Sequence, residues 1–224
     1  MSSPTRTFKN SAYGHLADLG KALSSGPRVE LLELLAQAPR TVEALSREIE
    51  QSVANTSHHL RVLRQAQLVT SRRDGLFVVY ALAGPEVADL LVDLQRVGQR
   101  HVAALERLSR DFFTARDALE PVDQDTLLDR LRAGEVTLID VRPEHEFAAE
   151  HLPGALSVPL HALEAHLAEL PRDRPVIAYC RGPFCVLSAT AADRLRALGY
   201  DARRATASVP SVRAAASSRP AGSR

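Results

Sequence analysis

The chain is poor in cysteine: two thiols, Cys180 and Cys185, among 224 residues. Two thiols cannot staple a protein of this size, so a disulfide framework is excluded and reactive thiols are the better reading. Long hydrophobic runs are also missing. No window holds the roughly 18 apolar residues that a membrane span needs, which excludes an integral membrane protein. The opening MSSPTRTFKNSAYGHLADLG lacks an apolar core, so no secretory signal is read and a cytoplasmic location is expected. Net charge is scarce as well, at +1 from 28 Lys and Arg against 27 Asp and Glu. A chain so balanced is no bulk polyanion binder, and any nucleic-acid surface must be a local patch. What is present, 45% apolar and 25% charged residues, suits globular domains. The length allows two of about 100 residues each.

Gly26-Pro27 punctuates the first half, and Pro27 suits the first position of a helix carrying Val29, Leu31, Leu32, Leu34 and Leu35. Thr41 is placed to cap a second helix with Leu45 and Ile49 four apart. Ser52 is placed to cap a third, in which Leu60 and Leu63 face inward and Arg61 and Arg64 outward. Two short helices joined by a tight turn make a helix-turn-helix candidate. The β-prone runs Leu68 to Arg72 and Leu76 to Leu82 flank Asp74-Gly75, a strong hairpin signal, with Arg72 and Arg73 beside the turn. A basic hairpin behind a helix-turn-helix is a wing, placed to meet phosphates while the preceding helix enters the major groove. One long helix, roughly 85 to 113, is expected next. Its stripe of Leu90, Leu91, Leu94, Val97, Val102, Leu105 and Leu108 has its natural outlet in a second subunit.

The segment TSHHLRVLRQAQLV with its RRDG hairpin resembles the winged-helix repressors of the arsenic-repressor-like (ArsR) family, over about residues 10 to 113. The S-x-H-L-x-x-L core is Ser57, His59, Leu60 and Leu63. The resemblance implies a homodimer reading a palindromic operator in double-stranded DNA. Ser52, Asn55, Thr56, Ser57 and His58 are then expected near base edges, and Arg61, Arg64, Arg72 and Arg73 mainly on phosphates. Metal sensing, the best-known input of that family, is disfavoured. This half has no cysteine, adjacent His58 and His59 diverge on a helix, and His101 has no His, Asp or Glu three or four residues away. A cross-subunit site from Asp89 or Asp93 with His101 is the residual metal reading. No metal and no cofactor are expected.

Residues 116 to 122 read as a joint. Beyond it, helices near 123 to 133, from Pro143, near 161 to 169 and from Val186 to Leu198 alternate with VTLIDV, Ala155 to Val158 and PVIAYC. Continuous apolar strands between helices indicate a parallel α/β sheet with its working site beyond the carboxyl ends of the strands. Cys180 falls there, between a strand and a helix, in the loop Arg181-Gly182-Pro183-Phe184-Cys185. Backbone N–H groups and a helix N-terminus favour an anionic sulfur. Arg181 is expected to add a positive charge, and Pro183 removes one donor.

LIDVRPEHEFAAEHLPGALSVPL followed by YCRGPFC resembles the rhodanese (sulfurtransferase) domain over about 122 to 205, with Asp140, Arg142, Glu146, His151, Pro153, Gly154 and Ala155 on its D-x-R…E…H-x-P-G-A pattern. The resemblance implies that Cys180 takes up sulfane sulfur as a persulfide, and that Asp140 and Arg142 mainly support the fold behind the site. Cysteine-dependent phosphatases need arginine at the position held by Val186, so phosphate chemistry is not expected. Rhodaneses commonly place arginine where this chain has Cys185. That should weaken thiosulfate binding, and it supplies a thiol able to attack a Cys180 persulfide. The family's closing strand, glycine loop and aromatic helix are not evident in ARRATASVPSVRAAASSRPAGSR, and the end looks disordered.

The expected architecture is therefore two domains. A mainly α winged helix-turn-helix fills 1–115, an α/β rhodanese-like parallel sheet fills 122–213, and 214–224 form a tail. The expected function is a transcriptional regulator, expected to act as a repressor, that senses or handles sulfane sulfur from a donor such as thiosulfate or a low-molecular-weight persulfide. The alternative is a sulfurtransferase tethered to DNA.

Overall fold

The computed structural model describes residues 3–114 and 121–218. Packing divides the chain into two compact units, Met1–Leu91 and Val92–Arg224. The expected joint at 116 to 122 lies mostly outside the described residues.

The first unit opens with α1 (Pro4–Leu23), capped by Ser3, whose hydroxyl accepts from Arg6 N–H. Then follow α2 (Gly26–Leu35), β1 (Arg40–Thr41), α3 (Val42–Glu48) and α4 (Val53–Gln65). Both expected caps are made: Thr41 accepts from Ala44 N–H and Ser52 from Asn55 N–H, each at 3.2 Å. Such caps hold one orphan donor each, worth about 1 kcal/mol. Leu31, Leu45, Leu60 and Leu63 meet in the core with no exposure.

The wing is β2 (Val69–Asp74) and β3 (Phe77–Leu82), with β1 on the far edge of β3 in an antiparallel sheet ordered β1-β3-β2. Asp74 pairs with Phe77, so the two-residue loop is Gly75-Leu76. Gly75 sits at φ +60, where a side chain is strained.

The single long helix expected from 85 to 113 is two, α5 (Pro85–His101) and α6 (Ala103–Thr114), interrupted at Val102. A Cβ on Gly98 would lie 3.0 Å from Leu105 Cδ2, so the glycine admits the leucine across the break. Kinks of this kind commonly sit at glycine. The start of α5 buries Val87, Ala88 and Leu91, with Val87 and Leu91 in the first unit's core.

The second unit continues with α7 (Gln124–Arg132), β4 (Thr137–Asp140), α8 (Glu144–Ala149), β5 (Leu156–Ser157), a 3₁₀ segment (Leu160–Glu169), β6 (Val176–Tyr179), α9 (Leu187–Ala197), β7 (Ala202–Arg204) and α10 (Val209–Ser218). The four strands are parallel in the order β5-β4-β6-β7. All four side chains of the central strand β6 have no exposure, each fully buried aliphatic contributing about 1.5–3 kcal/mol.

Two expectations about the end of the chain change. A closing strand and helix are present, since β7 gains its ladder from β6 rather than from its own propensity. Residues 214 to 218, expected in a tail, continue α10, while 219 to 224 lie outside the described residues.

Candidate functional site

Two surfaces carry the candidate residues. On the first unit, α4 exposes Ser52, Asn55, His58, Arg61 and Arg64, with Ser57 half-buried. Arg64 Nη1 donates to Ser71 Oγ at 3.1 Å, tying the helix to the wing. Arg72 and Arg73 are exposed beside the turn, and Arg72 pairs with Asp74 at 3.0 Å. Thr56 departs from its expected place. It has no exposure, and its hydroxyl donates to Ser52 O at 3.0 Å. Position 56 lies four before Leu60 and seven before Leu63, on the helix face that fills the core. Thr56 therefore cannot reach a base edge. His59 is half-buried; burial lowers its pKa, and Arg28 and His58 act in the same direction, so the ring is held neutral.

In the second unit, β6 delivers Cys180 to the carboxyl edge of the sheet with 1% exposure. The loop turns on Cys185 N–H donating to Gly182 O at 3.1 Å, and α9 begins at Leu187 without a side-chain cap. Its N-terminal N–H groups are thereby left for another acceptor. Cys180 Sγ lies 3.2 Å from Ser188 Oγ and 3.5 Å from the Cys185 carbonyl. Burial works against a charged Cys180. Hydrogen bonds from the Cys185 thiol, the Ser188 hydroxyl and the Ser188 and Gly182 N–H groups outweigh it and bring the thiol down to about 7. Cys185 moves the opposite way, because its proton is held on Cys180, burial disfavours its charge, and a neighbouring thiolate repels it. Of the two thiols, Cys180 is the one favoured to ionise.

Charged side chains support this loop without facing the sulfur. Asp140 and Arg142 have no exposure and pair at 2.6 Å, and Arg142 also donates to Glu150 O at 2.8 Å. Tyr179, next to Cys180, donates its hydroxyl to Asp140 and accepts Leu152 N–H at 3.0 Å. Burial and the Asp140 charge push the Tyr179 pKa up, so the hydroxyl keeps its proton. Arg181, expected to lend charge to the thiolate, is held on fully buried Glu146 by contacts of 2.6 to 3.1 Å. Among the described residues, no group of three His, Cys, Asp or Glu is placed to hold a metal ion.

Residues 25–71 match the family model "Bacterial regulatory protein, arsR family", and residues 123–208 match "Rhodanese-like domain". The chain is 38% identical over 196 residues to the HTH-type transcriptional regulator Rv0324 of Mycobacterium tuberculosis, covering 88% of this chain and 86% of that protein. The chain belongs to the arsR family of transcriptional regulators.

This family member also carries a rhodanese domain. It is 39% identical over 61 residues to a sulfurtransferase of Allochromatium vinosum, spanning 27% of this chain and 57% of that one. A solved homodimeric winged helix-turn-helix DNA-binding domain, Mb0332 of Mycobacterium bovis, is 35% identical with a TM-score of 0.41, covering 45% of this chain and 90% of that one. No helix among the described residues is long and apolar enough to cross a membrane.

The structure therefore brings Cys180, Gly182 and Cys185 together. It sets Arg181 aside on Glu146, with Pro183 and Phe184 half-exposed in the loop. Asp140 and Arg142 pair with each other, and Asp140 accepts from Tyr179, the residue before Cys180. Ser188 is the polar contact that sequence reasoning missed. The signal was its place in the first turn of the helix after the loop, where a short hydroxyl can turn back toward the loop.

Proposed function

We propose that this arsR-family regulator binds a palindromic operator as a homodimer and changes its operator affinity when Cys180 acquires sulfane sulfur. The observation that carries this reading is a buried free thiol, Cys180, at the carboxyl end of β6, 3.2 Å from Ser188 Oγ and in one tight loop with a second free thiol, Cys185. A donor R–S–SH meets the Cys180 thiolate at its outer sulfur. A new Sγ–S bond forms, the donor's S–S bond breaks, and RS⁻ leaves with the electron pair. Cys185 can then attack Cys180 Sγ, its thiol proton passing to the departing outer sulfur, which closes a Cys180–Cys185 disulfide and releases H2S. The two thiols are free before this step.

Arg61, Arg64, Arg72 and Arg73 would meet phosphates, while Asn55, Ser57 and His58 would meet base edges, with Ser52 closing the helix end. Phe8, Tyr13 and Leu16 on α1 and Leu90, Leu94 and Val97 on α5 are exposed in a single chain, which supports a second copy as their partner.

A coupling of about 1–3 kcal/mol between sulfur state and operator affinity suffices for a switch, a roughly 5- to 150-fold change. Gel shifts should compare reduced chain, polysulfide-treated chain and Cys180→Ser treated in the same way. The treated wild type should differ from the reduced form by that factor, and Cys180→Ser should not respond. Equal affinity in all three removes the sensor. The likeness to a sulfurtransferase favours a second reading, turnover with a thiol acceptor while tethered to DNA. Catalytic release of sulfur from a persulfide donor, lost in Cys180→Ser, would support it.

A further inference from the structure

The sulfur loop restricts which donor can reach it, an inference that rests on the persulfide reading above. Between Cys180 and Leu187 the loop carries one cation, Arg181. Its guanidinium contacts both oxygens of Glu146, whose side chain has no exposure while that of Arg181 has 10%. A carboxylate sealed so deeply cannot release its partner without becoming an uncompensated buried charge. Arg181 is therefore committed. The other side chains of the loop's outer face, Pro183, Phe184, Cys185, Val186 and Leu187, are apolar or thiol, and Val186 is 40% exposed.

Beside Leu187 lies a cavity of about 300 Å³ lined by Val141, Pro143, Leu160, His161, Leu187 and Arg194. Its two basic groups each have a carboxylate alongside: Arg194 is 3.5 Å from Glu164, and His161 is 3.4 Å from Glu144. The loop that holds Cys180 and the cavity beside its Leu187 thus combine apolar side chains with compensated charge. A dianion such as thiosulfate would meet the Cys180 thiolate with backbone N–H groups alone, and no uncommitted side-chain cation of the loop, to offset the repulsion.

We propose that Cys180 draws its sulfur from organic hydropersulfides whose carbon portion is small and apolar, and discriminates against thiosulfate. The Cys180 thiolate bonds to the outer sulfur of R–S–SH as the donor S–S bond breaks. RS⁻ departs with the electron pair, and the proton stays on the transferred sulfur. The apolar R group lies against the Phe184–Leu187 rim.

The test uses the full reduced chain with propyl persulfide released in situ or with thiosulfate. Loss of the free Cys180 thiol is followed by peptide mass spectrometry. Each rate is divided by that of the same donor with N-acetylcysteine, which removes intrinsic reactivity. The normalised rate for propyl persulfide should exceed that for thiosulfate by about tenfold or more. Val186→Arg, on an exposed position, should raise the thiosulfate rate by about the same factor, and added salt should abolish that gain. Equal normalised rates, or a Val186→Arg chain as slow with thiosulfate as wild type, would overturn the donor assignment and leave persulfide sensing standing. If neither donor adds sulfur to Cys180 in chain with its normal unfolding transition, both fall.

Discussion

The two candidate sites use arginine in opposite ways. In the first, Arg61, Arg64, Arg72 and Arg73 stand in solvent on one helix and one hairpin, held at most by a serine or an exposed aspartate. In the second, Arg142 is sealed against Asp140 and Arg181 against Glu146. An exposed cation keeps its charge available to an outside polyanion at little cost to stability. A buried one is consumed by its carboxylate and acts by fixing geometry. Exposure thus separates an arginine open to an outside partner from one that fixes a scaffold, where sequence cannot.

Breaking the buried side of that contrast should produce the largest effect. Arg142→Leu leaves Asp140 as an unpaired buried charge and should destabilise the second unit by about 3–5 kcal/mol. Urea unfolding followed by a probe in that unit checks this, and a loss under about 1 kcal/mol would show that the pair is not structural.

The contrast between neighbours on α4 comes next. Asn55→Ala should change base preference by about 1–3 kcal/mol at one operator position. Thr56→Val should leave base preference untouched and lower stability by about 0.5–1.5 kcal/mol through one lost hydrogen bond. Binding-site selection with the two variants separates them.

Ser188→Ala removes one donor to the sulfur. It should raise the midpoint of Cys180 alkylation by about one pH unit, equivalent to about 1.4 kcal/mol. The smallest effect belongs to the exposed cations. Arg72→Ala or Arg73→Ala should weaken binding to all sequences alike and flatten the salt dependence by about one phosphate contact each, with stability within about 0.5 kcal/mol of wild type. A sequence-selective loss would move the wing from phosphates to bases.

Much of this was legible in the residue order. Thr41 and Ser52 announced helix starts because a short hydroxyl before an apolar repeat has one good use. Asp74-Gly75 announced the hairpin, and the apolar runs 137–141 and 176–179 announced buried parallel strands. Features that depend on a partner elsewhere in the chain were hidden. β1 is two residues long and exists through its pairing with Tyr80 and Val79. The break at Val102 interrupts an apolar stripe that runs on without a sign of it, and depends on what Gly98 lets approach. At the site, the two thiols were evident from the loop. The Arg181–Glu146 pair joins residues 35 apart, so it emerges only in three dimensions. Thr56 was legible yet misjudged, since its spacing from Leu60 and Leu63 already placed it inward.

The central claim is that one loop holds Cys180 as a thiolate near neutral pH while Cys185 keeps its proton. Iodoacetamide alkylation of each cysteine, read peptide by peptide from acid to alkaline pH, tests it directly. Cys180 labelling should rise with pH to a half-maximum at about 7 and level off above it, because the thiolate is the reacting form and accumulates as pH passes the folded pKa. Cys185 should lag throughout that range. A Cys180 half-maximum at the ordinary thiol value of about 8.5, or faster labelling of Cys185, would contradict the account.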